Sequence, residues 1–402
     1  MPLKFIDEID CQGKKILCRF DFNVPFQKDA EASDEKVISD TTRIDATLET
    51  IKYLLDQGAK QLILMSHLGR PKGSFKKVFS LEPVGKYLAE ALKTEVILTE
   101  SCLDLNIKPL LDLNSTKIVL LENLRFHAEE EKNDFEFAKK LASYADIYLN
   151  DAFGAAHREH ASTHAINYYF KENAVGGFLL KQEIQALEKV TEKPKDPFVA
   201  VLGGAKVSDK IQIIQKLLPM VDKLLIGGAM AYPFLQAKGL SIGKSLCSKE
   251  DKKLADMILS SQQKSKLVLP LDHVVSSNPD GEPMPTSSAE IDDDKMGLDI
   301  GEGTISLFKN ELKKAKTIFW NGPMGLFENK AFSKGTFEVA LALSNNDGFT
   351  MVGGGDSVAA VKKAQLESQI SHISTGGGAS LEFIEKGHLP GIQALKFGVT
   401  PR

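Results

Sequence analysis

Short apolar runs rich in β-branched residues alternate with longer segments of helical periodicity along the 402-residue chain. Strands that alternate with helices form parallel sheets, and helices cover both faces of such sheets. The alternation therefore predicts an α/β fold built from doubly wound, Rossmann-like parallel sheets. The predicted strands are 15–20, 61–65, 117–121, 147–149, 198–202, 223–226, 267–269, 317–320 and 349–352, and the predicted helices include 41–57, 81–91, 134–144, 210–218 and 249–263.

The length of the chain is sufficient for two or three domains that each have a full core. An amphipathic segment at 178–190 ends at a proline-rich stretch, Lys193-Pro-Lys-Asp-Pro. We therefore predict a stiff connecting helix over 173–192. It joins a first domain, 1–172, to a second domain, 193–389.

The bulk composition excludes several classes of protein. The net charge of −4 gives no basic excess for binding a nucleic-acid duplex. No apolar stretch approaches the roughly 20 residues that span a bilayer, and acids within the first eight residues rule out a signal peptide. The four cysteines have no Cys-x-x-Cys spacing and fit a reducing compartment. We expect a cytoplasmic monomer without nucleic-acid or membrane partners.

Arginine is scarce and unevenly placed. Only six of the 50 basic residues are arginine, and none lies between Arg158 and Arg402. Arginine grips carboxylate or phosphate with a planar fork of donors, which lysine lacks. Because four arginines lie in polar or glycine-containing segments near the ends of apolar runs, the first 160 residues are predicted to bind a compact, multiply charged anion. These four are Arg43, Arg70, Arg125 and Arg158.

Nearly all unusual residues follow directly after a predicted strand. In open α/β sheets, ligands bind just outside the carboxyl ends of the strands. The motifs at these positions therefore mark candidate site loops. They are Asp21-Phe-Asn-Val-Pro, Ser66-His-Leu-Gly-Arg-Pro, Glu122-Asn-Leu-Arg, Gly203-Gly-Ala-Lys-Val-Ser-Asp-Lys, Gly227-Gly-Ala-Met, Asn321-Gly-Pro-Met-Gly and Gly353-Gly-Gly-Asp-Ser.

The motif Gly353-Gly-Gly-Asp-Ser joins a predicted strand to a predicted helix. Glycines let the backbone approach a ligand closely, and a helix N-terminus presents free N–H groups to an anion. Asp356 or Ser357 is expected to cap this helix. Asp356 is also a candidate ligand for Mg²⁺, which favours carboxylate and phosphate oxygens. A plain helix cap without any ligand is the alternative.

Two lysines follow the Gly203-Gly204 turn. Lys206 and Lys210 are spaced i, i+4, so in a helical turn both ammonium groups lie on one face and suit a polyphosphate. A solvated lysine pair is the alternative. Gly376–Gly378 offers a further glycine-rich anion site, and Glu328 is a candidate acceptor for ribose hydroxyls or else an exposed acid at a helix start.

Two other patterns are weaker. Gly239-Leu-Ser-Ile-Gly-Lys-Ser is one residue short of a Walker phosphate loop, so a helix stop followed by a surface turn is favoured. His157, His160 and His164 have a spacing that one helix face could present to a metal. Local hydrogen bonding is favoured because no cysteine or carboxylate completes a zinc pattern. No Gly-x-Gly-x-x-Gly follows a strand, which weakens a dinucleotide-binding interpretation.

Taken together, these motifs closely resemble the phosphoglycerate kinase family over essentially the whole chain. The resemblance implies two doubly wound domains that face each other across a cleft. The N-terminal domain would bind 3-phosphoglycerate or 1,3-bisphosphoglycerate, and the C-terminal domain MgADP or MgATP. The segment of about 390–402 would pack back on the N-terminal domain.

The resemblance also implies roles for individual residues. The acid substrate would be bound by Asp21, Asn23, Arg43, His67, Arg70, Arg125 and Arg158. The nucleotide would be bound by Gly204, Lys206, Lys210, Gly228, Leu298, Asn321, Pro323, Glu328, Gly354, Gly355, Asp356 and Ser357. Arg43, Lys206 and Gly355 would act on the transferring group, and Asp356 would take Mg²⁺.

The sequence departs from the family pattern at two places, and three alternative functions remain to be tested. The acidic stretch 27–39 is longer than usual and is expected to be a surface loop that leaves Arg43 in register. Glu302 stands where proline is usual, which weakens the assignment of Leu298 to an adenine pocket. The alternatives are another two-domain kinase acting on a phosphorylated carboxylic acid, an anion-binding scaffold without turnover, and a nicotinamide-dependent dehydrogenase.

Overall fold

The computed structural model describes residues 3–27, 36–104, 106–113 and 115–400. Its internal contacts divide the chain into two compact units. Unit 1 comprises Met1–Gln185 and His388–Arg402, and unit 2 comprises Ala186–Gly387. Each unit contains a six-stranded parallel sheet, so the predicted α/β class is confirmed.

Unit 1 has the strand order β3-β4-β2-β1-β5-β6. Its strands are β1 (Lys15–Arg19), β2 (Gln61–Met65), β3 (Val96–Leu98), β4 (Ile118–Leu120), β5 (Ile147–Asn150) and β6 (Ala174–Gly176). Its helices are α1 (Thr42–Asp45), α2 (Leu48–Asp56), α3 (Glu82–Leu92), α4 (Ile107–Leu111), α5 (Ala128–Glu131), α6 (Phe135–Ala142), α7 (Asn167–Phe170) and most of α8 (Phe178–Thr191), and a π-helical turn spans Ala161–Ala165.

Helices cover both faces of this sheet. Ile16 and Leu62 belong to a buried cluster that includes Leu54 of α2 and Val84 of α3. Leu17, the neighbour of Ile16, points to the opposite face and is fully buried as well. Continuous apolar strands are what a parallel sheet covered on both sides requires.

Unit 2 has the strand order β15-β14-β13-β7-β8-β9 in its parallel sheet, and β10, β11 and β12 form a separate antiparallel sheet. Its strands are β7 (Phe198–Leu202), β8 (Lys223–Ile226), β9 (Leu267–Val268), β10 (His273–Ser276), β11 (Met284–Pro285), β12 (Met296–Ile300), β13 (Thr317–Asn321), β14 (Phe349–Gly353) and β15 (His372–Ile373). Its helices are α9 (Ile211–Leu217), α10 (Ala231–Ala237), α11 (Lys249–Leu259), α12 (Glu302–Lys314), α13 (Lys334–Ser344), α14 (Gly355–Lys363) and α15 (Gly378–Lys386).

The last helix, α16 (Pro390–Phe397), belongs to unit 1. It packs against the π-helical turn and against β6. The Gly391 N–H donates to the carbonyl of Ala156, at 2.9 Å. The segment after residue 387 is therefore part of the same compact unit as the first 185 residues.

The structure corrects several predicted elements. The predicted helix 41–57 is two helices, because the chain turns at Ala46–Thr47, where the Thr47 hydroxyl donates to the Ile44 carbonyl at 2.7 Å. The predicted helix 249–263 ends at Leu259. The sequence prediction missed the antiparallel sheet and the short strands β3, β6 and β15, whose two or three residues are too few for a period to show.

The predicted surface loop 27–39 is described only at its ends. Phe26 and Ile38 pair as an antiparallel bridge, and the Gln27 N–H donates to the Val37 carbonyl at 3.0 Å. Residues 28–35 lie outside the described residues. The pairing brings the two ends of the insertion together, just before α1.

A buried carboxylate holds the start of α8, which begins at Phe178 rather than at the predicted residue 173, because Ala174–Gly176 form β6. Asp151 accepts a hydrogen bond from the Thr50 hydroxyl at 2.6 Å and another from the Leu180 N–H at 2.8 Å. Gly177 precedes the helix, and a Cβ there would lie 2.2 Å from the Asp151 carboxyl carbon. Burial raises the pKa of Asp151 from 3.8 to about 7, although these hydrogen bonds oppose the shift.

We expect Asp151→Asn to remove a pH dependence of stability. Between about pH 5 and pH 7 folded Asp151 keeps a proton that the unfolded chain has lost, so wild-type stability falls as pH rises. Relative to Asp151→Asn, the wild-type free energy of unfolding should decrease by about 1.4 kcal/mol per pH unit in this window. Urea unfolding followed by circular dichroism at pH 5, 6, 7 and 8 measures the free energy of unfolding of both proteins. If the two proteins show the same dependence on pH, the raised pKa of Asp151 is contradicted.

Candidate active site

The loops after β1 and β2 meet at Arg43. Its Nη1 donates to Asp21 Oδ2 at 3.0 Å and to the Asn23 carbonyl at 3.2 Å. Asn23 Oδ1 in turn accepts the N–H of Gly69, in the loop that follows β2, at 2.9 Å. The structure thus brings together three residues predicted for the acid substrate and the loop that carries Arg70. The Arg43 side chain is 34% exposed, so it remains accessible to a ligand.

Arg125 joins this cluster from the loop after β4. Its Nη1 donates to the Gly69 carbonyl at 2.8 Å, and its Nε lies 3.3 Å from Glu131 Oε1. The preceding Asn123 fixes the loop, because its Oδ1 accepts the N–H groups of both Arg125 and Leu68. Burial lowers the pKa of Arg125 to about 10, so its guanidinium is still charged at neutral pH.

His67 is a neutral hydrogen-bonding group in this cluster. Arg19 Nη2 lies 3.1 Å from His67 Nδ1, and because a guanidinium only donates, Nδ1 is the acceptor and the ring proton is on Nε2. Burial and the nearby charges of Arg19 and Arg125 lower the pKa of His67 well below its usual value. The 4.0 Å approach of Asp21 to the ring is therefore not an ion pair.

Arg19 is the residue of this region to which the sequence interpretation gave no role. It is fully buried on β1, and its Nε donates to Ser162 Oγ at 2.8 Å. The Ser162 hydroxyl donates to Glu130 Oε1 at 2.6 Å, and Glu130 Oε2 accepts the Ser162 N–H at 3.0 Å. An arginine inside the apolar run 15–20 was the available signal, because a cation is buried there only with partners.

The three histidines near Arg158 lie beside three different residues. Arg158 Nε donates to His157 Nε2 at 3.0 Å. His160 lies 3.8 Å from Glu130, and His164 lies 3.0 Å from Asn133 Nδ2. Burial and nearby arginines lower the pKa of His160 to about 3. Over the described parts of the chain, no group of three metal-ligating side chains is found.

Arg70 is a further arginine predicted to bind the acid substrate. Its side chain is exposed, and it has no hydrogen bond or ion pair with any residue that the structure describes. Arg158 lies near enough to Arg125 to lower the pKa of Arg125 by its charge. We refer to Arg43, His67, Arg70, Arg125 and Arg158, with Asp21 and Asn23, as the arginine cluster. Its four arginines outnumber the two carboxylates paired with them, Asp21 of the cluster and the neighbouring Glu131, which favours a multiply charged anion.

Unit 2 contains a cavity of about 440 Å³, which we call the unit-2 cavity. This volume falls within the range typical of small-molecule sites. Its wall combines apolar side chains with backbone of the loops after β7, β8 and β13. The predicted nucleotide residues on this wall are Gly204, Gly228, Leu298, Pro323, Glu328 and Asp356.

The sequence interpretation missed part of this wall. Lys244, Ser245 and Leu246 line the cavity, although the segment 239–245 was expected to be a surface turn. The expected helix stop is present, since α10 ends at Ala237. Ser245 Oγ accepts the Gly297 N–H at 2.9 Å and so attaches the segment to β12. That strand was not predicted, so nothing in the sequence indicated what the turn would face.

The two lysines after Gly203-Gly204 have different surroundings, which corrects the prediction that they share a helical face. The helical turn begins at Ser208, after Lys206, and Lys206 is exposed. Lys210 Nζ donates to Gly203 O at 2.6 Å and to Asn321 O and Oδ1 at 3.0 and 2.6 Å. All three ammonium protons of Lys210 are thereby used. Burial lowers the pKa of Lys210 to about 8.

We therefore expect Lys210→Ala, but not Lys206→Ala, to reduce stability. Removing Lys210 leaves three acceptors of the Gly203 and Asn321 loops without their donor, which costs about 1–3 kcal/mol of unfolding free energy. Lys206 is exposed, and its removal should change that value by less than about 0.5 kcal/mol. Urea unfolding of both variants at pH 7 provides the comparison. Equal losses would contradict the structural role of Lys210.

The N-terminus of α14 has no side-chain cap, contrary to the prediction for Asp356 or Ser357. Gly354 is the N-cap with φ of +88°, and Asp356 lies exposed in the first turn. Ser357 Oγ instead accepts the Gly322 N–H at 2.5 Å. Gly377 likewise precedes α15 without a side-chain cap. Backbone N–H groups at both helix starts are thus left for an anion.

Comparisons with known proteins identify the family. A family model described as phosphoglycerate kinase matches residues 6–387. A phosphoglycerate kinase of Anaeromyxobacter sp. (strain Fw109-5) is 49% identical over 98% of this chain and 100% of its own length. The chain belongs to the phosphoglycerate kinase family. A phosphoglycerate kinase of Clostridium botulinum (strain Hall) is 48% identical, with 98% of each chain covered.

Solved structures agree with this membership. The phosphoglycerate kinase from Coxiella burnetii has a TM-score of 0.87 and 37% identity, covering 98% of this chain and 99% of its own. That from Pyrococcus horikoshii OT3 has a TM-score of 0.84 and 32% identity at the same coverage.

Membership of the phosphoglycerate kinase family confirms the predicted activity. The enzyme is a phosphotransferase with a carboxyl group as acceptor, and ATP or ADP is its co-substrate. The dehydrogenase alternative does not agree with this membership, and ATP turnover is the measurement that decides against the inactive scaffold. In the part of the chain that the structure describes, no helix is both long and apolar enough to cross a bilayer.

Proposed function

We propose that unit 1 binds the acid substrate, 3-phosphoglycerate or 1,3-bisphosphoglycerate, at the arginine cluster, and that unit 2 binds the nucleotide in the unit-2 cavity. The observation that carries this division is the engagement of Arg43 by Asp21 and the Asn23 carbonyl, within reach of His67 and Arg125. A trianionic acid needs such a concentration of guanidinium groups. The unit-2 cavity instead offers apolar walls for a base beside an uncapped helix N-terminus.

The chemistry of this reaction needs no general base. The acceptor is a carboxylate, which is already ionised at neutral pH, so catalysis reduces to alignment and charge neutralisation. We assign this task to Arg43, Lys206 and the backbone N–H groups around Gly355, with Gly376–Gly378 as further donors. Arg70, Arg125, Arg158 and His67 hold the distant phosphate and the carboxylate. His67 contributes its Nε2–H as a neutral donor.

Asp356 fits Mg²⁺ carried by the nucleotide. Its carboxylate is exposed, lines the unit-2 cavity and lies in the first turn of α14, where nucleotide phosphates would bind. Mg²⁺ is commonly held by one or two carboxylates together with substrate phosphates. Bound there, the ion would offset phosphate charge. The absence of a three-ligand protein group among the described residues agrees with an ion that arrives with its nucleotide.

The remaining nucleotide contacts follow from the cavity wall. Leu298 would pack on the base, Glu328 would accept ribose hydroxyls, and Gly204 and Gly228 would let the backbone approach. Gly322 has φ of +95°, and a Cβ there would lie 2.2 Å from the Gly203 carbonyl oxygen and 2.5 Å from Lys210 Nζ. Any side chain at Gly322 would therefore displace the lysine that holds the Asn321 loop. Asn321 and Ser357 act by shaping this loop.

We further propose that the two units bend toward each other during turnover. Water must be excluded when the phosphoryl group moves, because otherwise ATP would be hydrolysed. The working form would be a cytoplasmic monomer without nucleic-acid or membrane partners. The basis is the near-neutral charge balance, the reduced cysteines and the lack of an additional amphipathic seam in the sequence.

Substrate-dependent ATP turnover tests the proposed function. MgATP consumption is measured with 3-phosphoglycerate and, in parallel, with glycerate, and the acyl phosphate is trapped by coupled reduction. We expect turnover with 3-phosphoglycerate only, because the arginine cluster needs the phosphate to anchor the acid. Equal turnover with glycerate would contradict the proposed role of the cluster. Omitting Mg²⁺ should abolish the reaction, and Asp356→Asn should raise the Mg²⁺ concentration required.

A further inference from the structure

Two hydroxyl groups meet at one point on the wall of the unit-2 cavity. Tyr232, in the first turn of α10, and Ser245 both line the cavity, and both side chains reach Gly297 of β12. The Gly297 N–H donates to Ser245 Oγ at 2.9 Å, and a Cβ on Gly297 would lie 2.1 Å from the Tyr232 hydroxyl oxygen. Only glycine therefore leaves room for this hydroxyl. We call the hydroxyls of Tyr232 and Ser245 the hydroxyl pair.

The Tyr232 hydroxyl is available to a ligand. Tyr232 is 3% exposed, and its hydroxyl has no hydrogen-bond partner among the residues that the structure describes. It is not one of the unpaired polar atoms that are sealed from solvent, as Gln61 Oε1 is, so the oxygen is open to the cavity that Tyr232 lines. Burial and the charge of Asp299 raise the pKa of Tyr232, so the hydroxyl keeps its proton. A tyrosine buried to this extent usually has a partner for its O–H.

Ser245 adds a second donor beside it. Its Oγ accepts the Gly297 N–H, and in the described parts of the chain its own hydroxyl proton has no acceptor. The Ser245 N–H donates to the Ile242 carbonyl at 3.0 Å, which holds the serine in place. Because a hydroxyl both donates and accepts, the hydroxyl pair offers two donors and an acceptor within one small area.

The surface next to the hydroxyl pair is apolar because of a β-bulge. Val274 pairs with Asp299 and Val275 pairs with Gly297, so Leu298 is an extra residue on β12. Bulges of this kind re-aim side chains and are frequent beside active sites. Leu298 lies on the cavity wall, and its carbonyl accepts the Leu326 N–H at 2.8 Å. An apolar face for a ring thus adjoins hydrogen-bonding groups for the edge of that ring, as a heteroaromatic base requires.

The proposed phosphate positions orient the base. Gly204 and Asp356 mark the part of the cavity assigned to the phosphates, at the loops that Lys210 and Asn321 join. The hydroxyl pair is attached instead to β12. In adenosine nucleotides, the base edge opposite the glycosidic bond carries N1 and the 6-amino group and is the part of the base most distant from the phosphates. We therefore orient this edge toward β12.

We propose that the hydroxyl pair contacts the edge of adenine that carries N1 and the 6-amino group, and that the Tyr232 hydroxyl is a specificity-determining group for the nucleotide. The inference rests on the proposed binding of the nucleotide in the unit-2 cavity and adds to it the residue that recognises the base. Its chemical basis is the cost of leaving a buried polar group unpaired when an analogue lacks the matching atom.

Three diphosphates test this contact by titration calorimetry in the presence of Mg²⁺. Purine riboside 5′-diphosphate lacks the 6-amino group of ADP, whereas 7-deaza-ADP keeps the whole edge and lacks only N7. Wild type should bind purine riboside diphosphate about five- to tenfold more weakly than ADP, and 7-deaza-ADP within about twofold of ADP. Tyr232→Phe should weaken ADP and 7-deaza-ADP by about three- to tenfold and purine riboside diphosphate by less than about twofold.

The control variant is Tyr53→Phe, which removes a tyrosine hydroxyl from α2 of unit 1 and should bind all three ligands as wild type does. The urea midpoint of Tyr232→Phe should equal that of wild type, because the hydroxyl has no partner within the described structure. A structural defect would weaken all three ligands by the same factor. That result, or equal affinity of wild type for ADP and purine riboside diphosphate, overturns the role of Tyr232.

Hydrogen exchange separates failure of this inference from failure of the proposed nucleotide site. Bound ADP should protect the amides of 227–230 and 296–298, which lie on or beside the cavity wall. Protection there without a selective effect of Tyr232→Phe would overturn the base contact alone. Bound ADP that leaves both segments unprotected would overturn the assignment of the nucleotide to the unit-2 cavity, and the base contact with it.

Discussion

Arg43→Ala is expected to lower kcat by about 10²–10³-fold while the KM for 3-phosphoglycerate changes by less than about threefold. Arg43 is held by Asp21 and by the Asn23 carbonyl, and a third of its side chain is still exposed. A guanidinium anchored in this way is pre-oriented toward the transferring group. Steady-state kinetics in the direction of ATP consumption measure both constants.

Arg70→Ala is the matched control for Arg43→Ala. Arg70 belongs to the same cluster but has no partner among the described residues, so its removal disturbs no internal hydrogen bond. It should raise the KM about tenfold or more at nearly constant kcat, because a contact to the distant phosphate acts equally in ground and transition states. Equal losses of kcat in both variants, at constant KM, would contradict this division between the two arginines.

Arg43→Lys separates charge from geometry. Both bonds to Asp21 and the Asn23 carbonyl come from Nη1, so a lysine whose Nζ made them would keep the positive charge but would have no second nitrogen to present to a ligand. We expect kcat to recover only partly, by about tenfold relative to Arg43→Ala. Full recovery of kcat would show that a positive charge at residue 43 is sufficient and that the planar guanidinium group has no specific role.

The sequence predicted nine of the twelve parallel strands that the structure describes, and the loops that follow them, because both signals are local. A buried parallel strand is a continuous apolar run, and a ligand loop after it carries polar residues and glycine. Asp21, Asn23 and Arg125 were found in this way, Arg43 was found through the scarcity of arginine, and the structure brings them together. The strand β12 was missed because it contains Gly297 and is only half buried at its start, so neither period was visible.

The sequence did not predict which groups the site side chains would contact. The spacing of Lys206 and Lys210 indicated equal roles, but the partners of Lys210 are at Gly203 and at Asn321, the latter 111 residues away. Ser357 was predicted as a cap, and its partner is Gly322 on another loop. Such pairings depend on which strands are neighbours in the sheet, and β13 lies beside both β7 and β14. Local spacing does not carry that information.

The second large effect is expected for Arg19→Met, which should lower the free energy of unfolding by about 3–5 kcal/mol. Glu130 and Arg19 are both fully buried and are joined through the Ser162 hydroxyl. Burial raises the pKa of Glu130, and the charge of Arg19 is the largest opposing influence. Without Arg19 the buried carboxylate loses the cation that acts on it most strongly, and only the weaker influence of Arg125 remains. Urea unfolding at pH 7 measures the loss.

Glu130→Gln is the control that distinguishes charge burial from lost packing. If the uncompensated carboxylate causes the loss, the double variant Arg19→Met/Glu130→Gln should recover about 1–3 kcal/mol relative to Arg19→Met. Removing Arg19 should also raise the pKa of His67, because Arg19 is the first of the charges that lower it. Histidine ring resonances followed by NMR over pH 5–8 in the Arg19→Met variant report that change. If the double variant is no more stable than Arg19→Met, the stability lost in Arg19→Met is due to packing. The interaction between Arg19 and Glu130 then makes no measurable contribution to the free energy of unfolding.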